Sequence, residues 1–363
     1  MRPEELSPKQ VEAAEDPEAL TDLAEAEFTQ LGRRTRRVEG LRKSTGKEIY
    51  TDDIVLPGML HAKILRSTVA HANIVSIDVS AAEALEGVHA VITGRDMPTP
   101  YGIIPWTRDE HALCLDKVRF IGDAVAAVAA VDEDTANQAL ELIEVEYEEL
   151  PAYLSPEEAL SDGAAAQPIH EPKKPKKGKL VAEAELPIEA RNGNVLKHVH
   201  LEFGEVDRSM AESDVTVEGE YFFHGTTHTP IEPHCAIARR NENGVLEVWS
   251  STQVPHYLQR EIARVLELDV AKVRVIQPAV GGAFGGKSEP FDLEFCVALL
   301  ALRTGRPVKI LYTREEVFYS HRGRHPMRMR YRLGASQDGT LKALDAKTIL
   351  DGGAYASFGL VTT

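Results

Sequence analysis

The chain has 363 residues, which predicts two or three domains, and 43% of them are hydrophobic, enough to bury a core. Its formal net charge of −16 argues against a general nucleic-acid-binding surface. Cys114, Cys235 and Cys296 lie far apart and form no Cys-x-x-Cys pair, which disfavours a disulfide framework or an iron–sulfur cluster held by this chain alone. We expect each cysteine to be a small buried apolar residue.

The sequence contains no apolar targeting segment at its N-terminus and no run of about 18 apolar residues that could span a membrane. We therefore expect a soluble, cytoplasmic protein with neither nucleic acid nor a membrane as a partner.

Residues 1–39 are polar and acidic, with a weak helical pattern over 19–31, and predict an N-terminal extension, mobile rather than docked. Residues 40–153 alternate short apolar runs with helical stretches and predict one α/β domain. Its predicted strands are 59–65, 74–79, 89–93, 125–131 and 144–147, and its clearest helix is 134–143.

Residues 154–190 predict an irregular linker, because they combine prolines with a lysine-rich run at 173–179. The run could contact phosphates, but a solvated loop is the better interpretation. A second domain is predicted for 191–363 and continues to the last residue of the chain.

Periodicity and turn signals divide this second domain into strands and helices. Asn243-Gly244 and Asp338-Gly339 predict two hairpin turns, within 237–249 and 328–350, and Gly305 predicts the end of a helix. The remaining predicted elements are strands at 215–224, 272–276 and 307–312 and helices at 255–268 and 291–303.

A glycine-rich loop at 280–288 follows one of these strands and precedes a helix. Such a loop lets backbone N–H groups approach an anion closely. Gly281, Gly286, Lys287 and Ser288 also satisfy the phosphate-loop pattern of nucleotide hydrolases. Pro290 opposes that alternative, because the phosphate loop continues directly into helix, and residues 348–351 are the only candidate for a strand ending in a magnesium-binding Asp.

Blocks of the sequence resemble, in the same order, the large subunit of the molybdenum hydroxylases, the family of xanthine dehydrogenase, aldehyde oxidase and 4-hydroxybenzoyl-CoA reductase. The resemblance covers residues 40–363. Its blocks are 44–53, 57–60, 66–72, 116–123, 144–148, 231–234, 251–256, 280–288, 323–326 and 352–355. Residues 100–105, 313–318 and 358–362 most resemble the 4-hydroxybenzoyl-CoA reductase α subunit.

The resemblance implies the α+β class, with an α/β-hammerhead domain followed by the first part of a mixed α/β molybdopterin-binding domain. It implies a molybdenum cofactor of the molybdopterin type, with the cytosine dinucleotide form as one option. FAD and iron–sulfur clusters would lie on partner subunits, an FAD subunit and an iron–sulfur subunit.

Site residues follow from the same resemblance. Gln253 matches the glutamine whose amide contacts an oxo ligand of the metal, and Gly282, Ala283, Phe284 and Gly285 match the loop that packs against molybdenum and pterin. Gln253, through its side-chain amide, and Phe284, through its backbone, would form the molybdenum environment. The alternative for Gln253 is a loop glutamine that hydrogen-bonds the backbone. The alternative for Phe284 is a tight turn whose phenylalanine side chain is buried in the core.

Ser288 stands where purine-oxidising members have a substrate-binding glutamate, which argues against xanthine, and Glu289 is displaced from that position by one residue. Both are candidates for the substrate pocket. The family's catalytic base lies in the C-terminal half, so no catalytic residue is predicted within these residues. The chain alone should be inactive, whether it is a natural split subunit or a truncated one.

The expected function is hydroxylation, or reductive dehydroxylation, of an aromatic or heteroaromatic compound, and 4-hydroxybenzoyl-CoA is one candidate substrate. The chain would act in a complex with a C-terminal molybdopterin-binding half or subunit. The alternatives are a P-loop nucleotide hydrolase and a non-catalytic degenerate or assembly subunit. His224, His228 and His234 could suggest zinc, but Pro230 and Pro233 interrupt any helix that would pair them.

Overall fold

The computed structural model describes residues 36–104, 108–161, 168–170, 193–320 and 322–362. The chain divides into two compact units, 1–48 and 49–363. The described part of the first unit contains one short helix, α1 (Gly40–Ser44). The helical pattern predicted at 19–31 and the lysine-rich run at 173–179 lie outside the described residues.

The second unit contains thirteen strands within the described residues. They are β1 (Leu60–Arg66), β2 (Ala72–Asp78), β3 (Val88–Thr93), β4 (Lys117–Val118), β5 (Ala124–Ala130), β6 (Glu144–Glu149), β7 (Val215–Phe223), β8 (Cys235–Arg240), β9 (Leu246–Ser250), β10 (Val273–Ile276), β11 (Val308–Leu311), β12 (Met327–Ala335) and β13 (Leu341–Leu350). The helices are α2 (Ser80–Ala84), α3 (Glu133–Glu141), α4 (Pro156–Ser161), α5 (Val206–Ala211), α6 (Pro255–Val265), α7 (Asp292–Thr304), α8 (Arg314–Tyr319) and α9 (Gly359–Thr362).

Seven strands form the main sheet, in the order β10-β9-β8-β11-β1-β5-β3. Strands from both predicted domains therefore share one sheet, joined where β1 pairs in parallel with β11. The alanine-rich β5 lies between β1 and β3 and is buried along its whole length. Its small side chains let other elements pack closely on both faces of this central strand. β2, β4 and β6 form a second sheet, and β7, β12 and β13 form a third.

Helix α7 supplies much of the core, since most of its apolar side chains are buried against β8, β9 and β11. It ends at Gly305, whose φ of 65° is the left-handed conformation that glycine adopts at low cost. Pro255 begins α6, at a position where its missing N–H costs no hydrogen bond. Asp132 caps α3 by accepting a hydrogen bond from the Thr135 amide at 2.8 Å.

The strands and helices predicted within the described residues are present, with ends that differ by up to three residues, and both predicted hairpins form between paired strands. One local expectation is wrong: residues 156–161, assigned to an irregular linker, form helix α4. Its proline stands at the first helical position, where it favours rather than breaks a helix. The domain boundaries themselves remain a prediction.

All three cysteines are free and buried, as expected. No helix among the described residues is both long and apolar enough to cross a membrane.

Candidate functional site

The glycine-rich loop joins the end of β10 to the start of α7. The first turn of α7 is anchored by the buried carboxylate of Glu294. It accepts hydrogen bonds from the Phe291 amide at 2.7 Å and from the Ser250 hydroxyl at 2.8 Å. Burial raises the pKa of Glu294 to about 7. The loop therefore runs between two elements that the core holds in place.

The loop backbone takes an unusual path. Gly282 and Gly285 have φ angles of 111° and 93°, and Phe284 has a φ of 55°. A non-glycine residue in the left-handed region stores backbone strain of about 1–3 kcal/mol, and such strain concentrates at functional sites. The side chain of Phe284 is 73% exposed, so the alternative that it plugs the core is wrong.

Gln253 is bound to this loop by both its backbone and its side chain. Its backbone N–H donates to the Lys287 carbonyl at 2.8 Å. Its side-chain Oε1 accepts from the amides of Gly285 at 3.1 Å and Lys287 at 3.3 Å. The carbonyl end is thereby fixed toward the loop, and the NH₂ end donates to no group among the described residues. The alternative, a glutamine that only hydrogen-bonds the backbone, explains the contacts of Oε1 and gives no role to the NH₂ group.

Three consecutive backbone amides complete the set of donors. The N–H groups of Gly282, Ala283 and Phe284 donate to no acceptor within the described part of the chain. Successive free amides in a turn with left-handed residues favour an electronegative ligand. Neutral N–H donors suit the oxo oxygens of a metal centre, because they stabilise the oxygen and keep their protons. The predicted loop residues and Gln253 therefore lie together, and their donors fit a molybdenum cofactor.

In a nucleotide hydrolase, the lysine at the position of Lys287 would bind a phosphate. In this structure Lys287 is instead buried in an ion pair. It is 1% exposed, and its Nζ lies 2.8 Å from the Glu232 carboxylate and 3.3 Å from the Pro233 carbonyl. Burial lowers the pKa of Lys287, with Glu232 acting in the opposite direction. The following helix begins only at Asp292. The phosphate-loop alternative is therefore not favoured.

Glu232 was not predicted as a site residue, although it stands in one of the family blocks. Its Oε2 also accepts from the Gly281 amide at 2.8 Å. A Cβ atom at Gly281 would lie 2.7 Å from the Cβ of Glu232, so glycine is required for this approach. Glu232 thus holds the start of the loop and, through Lys287, its end. The sequence offered no signal of this because the contact spans 49 residues.

The two predicted substrate-pocket residues have different surroundings. The Ser288 hydroxyl donates to the Gly285 carbonyl at 2.5 Å. Glu289 is buried, and its carboxylate accepts from the Ser357 hydroxyl at 2.7 Å. Arg322 lies 3.5 Å from the same carboxylate and also pairs with Glu110. Burial raises the pKa of Glu289 to about 7. A substrate role for Ser288 and Glu289 stays a prediction.

The described residues contain no cluster of His, Cys, Asp and Glu with the arrangement of a metal site. Among the three histidines considered for zinc, His234 is buried beside the rings of Phe291 and Tyr312, whereas His224 is exposed.

Comparison with known families identifies two domains along the chain. Residues 45–151 match the aldehyde oxidase and xanthine dehydrogenase a/b hammerhead domain, and residues 188–363 match the molybdopterin cofactor-binding domain. The expected fold class, α+β with a hammerhead domain followed by a molybdopterin-binding domain, is thereby confirmed.

Two curated relatives share 39% identity with the chain. The nicotinate dehydrogenase large molybdopterin subunit of Eubacterium barkeri aligns with 92% of the chain, which covers 73% of that relative. A probable xanthine dehydrogenase subunit of Bacillus subtilis aligns with 89% of the chain, which covers only 40% of it. The chain thus spans most of one relative but about two fifths of the other.

Solved structures show the same fold. Quinoline 2-oxidoreductase from Pseudomonas putida 86 superposes with a TM-score of 0.76 at 33% identity, over 89% of this chain and 40% of that one. Aldehyde oxidoreductase from Desulfovibrio gigas gives the same TM-score at 30% identity, over 97% and 38%. The chain therefore belongs to the xanthine dehydrogenase and aldehyde oxidase family of molybdenum oxidoreductases, with the hammerhead and molybdopterin-binding domains of its molybdenum-binding large subunit.

Proposed function

We propose that the loop at 280–288, together with Gln253, holds the molybdenum cofactor of an oxidoreductase complex. One observation carries the proposal. The Gln253 carbonyl accepts from the loop amides of Gly285 and Lys287, which leaves its NH₂ group and the amides of Gly282 to Phe284 as donors. Four neutral donors, the Gln253 NH₂ group and three loop amides, fit an oxo-metal centre better than a phosphate, because the lysine of the loop, Lys287, is already paired with Glu232.

The cofactor would supply the two-electron redox chemistry when bound, and the chain would supply position and dipoles. Gln253 would donate its amide hydrogen bond without changing charge. The backbone donors of the loop would lose little entropy on binding, since the ion pair of Lys287 with Glu232 already fixes the loop at both ends.

The substrate class that we propose is a heteroaromatic ring, to be hydroxylated or reductively dehydroxylated. Relatives are named for nicotinate, xanthine and quinoline. Ser288 argues against xanthine as the substrate. By the family resemblance, purine-oxidising members bind the substrate with a glutamate at this position, and a serine has no carboxylate. A 4-hydroxybenzoyl-CoA substrate has support only from the sequence blocks, so we place it second.

We further propose that FAD and iron–sulfur clusters are carried by partner subunits, and that a C-terminal molybdopterin-binding half or subunit completes the site. Two carboxylates beside the loop already have partners: Glu232 pairs with Lys287, and Glu289 accepts from Ser357 and lies 3.5 Å from Arg322. A general base must lie within hydrogen-bond reach of the proton that it removes. The chain alone is therefore expected to be inactive.

The test is the molybdenum content of the complex purified through this chain from its own host. We expect near-stoichiometric molybdenum with a pterin released on denaturation. Gln253→Glu should lower the molybdenum content about tenfold or more, because outer contacts of a metal centre have effects of that size. Gln337→Glu, at an exposed turn, is the matched control and should keep it. Absence of molybdenum from the wild-type complex would overturn the proposal and favour a non-catalytic subunit.

A further inference from the structure

The residues on either side of Ser288, at the end of the glycine-rich loop, are both buried and both form ion pairs. Lys287 and Glu289 point into the protein, whereas Ser288 between them is partly exposed. Lys287 pairs with Glu232, and Glu289 lies 3.5 Å from Arg322. Because two neighbours of opposite charge have separate buried partners, the end of the loop is held from two sides.

Arg322 connects the end of the loop to a distant part of the chain. Its guanidinium group also forms an ion pair with Glu110, which stands 212 positions before it. Glu110 accepts a 2.6 Å hydrogen bond from the hydroxyl of the buried Tyr101. The ring of Tyr101 packs against Phe295 of α7, with the centroids 4.6 Å apart. The core of the protein therefore fixes the far side of Arg322.

The two charged groups are also oriented by their other neighbours. The guanidinium carbon of Arg322 lies 5.8 Å from the ring centroid of Phe291 and 6.0 Å from that of Tyr355, and such contacts stabilise a cation. The Ser357 hydroxyl lies 2.7 and 2.9 Å from the two carboxylate oxygens of Glu289 and donates to them. Each member of the pair thus has a set position before the other is considered.

The geometry of the contacts suits arginine in particular. Arg322 directs one terminal nitrogen to Glu110 and its Nε to Glu289. Burial raises the pKa of both carboxyl groups, to about 7 for Glu289, and the guanidinium charge acts in the opposite direction. A lysine would supply the charge from a single point, without the fork that reaches two carboxylates at once.

A short turn connects Glu289 to the loop amides. The Gly285 carbonyl accepts from the Ser288 amide at 3.2 Å and from its hydroxyl at 2.5 Å. The Gly286 amide donates to the Ala283 carbonyl at 2.8 Å. These overlapping turns leave the segment little freedom, so a displacement of Glu289 should move the donors that precede it.

We propose that Arg322 and Glu289 form a positioning pair, which holds the end of the glycine-rich loop so that its amide donors keep the geometry a metal centre requires. The inference rests on the proposed function, in which those donors face the molybdenum cofactor. Glu289 acts here through the loop rather than on a substrate, because its carboxylate is buried and already accepts from Ser357.

A purely stabilising role is the alternative, and a second ion pair provides the comparison. The side chains of Arg322 and Glu289 are 22% and 5% exposed. Those of Arg108 and Glu261 are 28% and 8% exposed. Glu261 lies in α6, where its carboxylate also accepts from Arg264. If burial of an ion pair were all that mattered, loss of either pair should affect the loop equally.

Hydrogen-exchange mass spectrometry on the complex purified from its own host separates the two roles. Glu289→Gln keeps the size of the side chain and an acceptor for Ser357 but removes the charge. We expect the amides of 283–288 to exchange about tenfold faster in Glu289→Gln and in Arg322→Met, and within about twofold of wild type in Glu261→Gln. Arg322→Lys should restore only part of the protection. Wild-type exchange in Glu289→Gln, or equal acceleration in Glu261→Gln, would overturn the inference.

A second measurement reports on the metal centre itself. Outer contacts tune the electronic structure of a bound metal, so the molybdenum EPR spectrum of the dithionite-reduced complex should change shape in Glu289→Gln. A purely stabilising residue would lower the amount of signal and leave its shape unchanged, as we expect for Glu261→Gln. An unchanged shape in Glu289→Gln would refute the positioning pair alone. Absence of molybdenum from the wild-type complex would instead refute the proposed function, and hydrogen exchange would still show whether the pair holds the loop.

Discussion

Lys287 and Glu232 form a buried ion pair, in which the lysine Nζ lies 2.8 Å from a carboxylate oxygen that also accepts the Gly281 amide. Glu232 thereby contacts both ends of the glycine-rich loop, at Gly281 and at Lys287. The lysine ammonium group is occupied by this ion pair and is not available to a ligand. A lysine that the sequence pattern assigns to a phosphate is thereby a structural residue in the fold.

Replacing Lys287 should destabilise the chain rather than change nucleotide binding. Lys287→Met leaves the buried Glu232 without its cation and should lower the free energy of unfolding by about 3–5 kcal/mol. Guanidinium denaturation measures this, with the exposed Lys272→Met as control. Magnesium–ATP should not raise the melting temperature of the wild-type chain. A clear rise would revive the nucleotide-hydrolase alternative.

Removing the Gln253 side-chain amide should loosen the loop locally. In Gln253→Leu the amides of Gly285 and Lys287 lose their acceptor, at a cost of about 1–1.5 kcal/mol, so their hydrogen exchange should accelerate about tenfold. Hydrogen-exchange mass spectrometry over the loop measures it, and Gln337→Leu should leave the loop unchanged. Equal exchange in both variants would show that Gln253 does not order the loop.

Stability should fall as pH rises from about 4.5 to 7. Burial raises the pKa values of Glu289 and Glu294 to about 7, from an ordinary 4.5. In that window the folded state holds protons that the unfolded state has released, so rising pH favours unfolding, by up to about 1.4 kcal/mol per pH unit for each group. Above pH 7 both states are deprotonated and this contribution becomes constant.

Denaturation curves from pH 4.5 to 8 measure this slope. Glu294→Gln should flatten it, whereas Glu220→Gln, on an exposed strand position, should not. An unchanged slope in Glu294→Gln would mean that its carboxyl titrates as an ordinary exposed acid.

Arg66 should be among the most sensitive positions for folding. From β1 it donates to Asp292 at the start of α7 and to Glu316 in α8, each at 2.8 Å. Arg66→Met leaves two carboxylates near each other without a cation, and we expect a loss of about 3–5 kcal/mol in urea denaturation. Arg208→Met removes an exposed pair with Glu212 and should cost about 0.5 kcal/mol. Similar losses in both variants would contradict the bridging role.

The sequence predicted the local elements and the loop because their signals are local. Periodicity located α6 and α7, the Asn243-Gly244 dipeptide predicted the β8–β9 hairpin, and the blocks around Gln253 and Phe284 identified the family. It misassigned α4 for a local reason too, since a proline that favours a helix start was interpreted as a breaker.

Short-range pattern therefore determined which elements form, which family the chain belongs to and which residues are candidates for the cofactor. Only the tertiary structure decided which groups are buried and with whom: Lys287 with Glu232, Glu289 with Ser357, and β1 beside β11 in one sheet. The physical reason is that burial and charge pairing depend on contacts between residues tens to hundreds of positions apart, which a local sequence pattern does not specify.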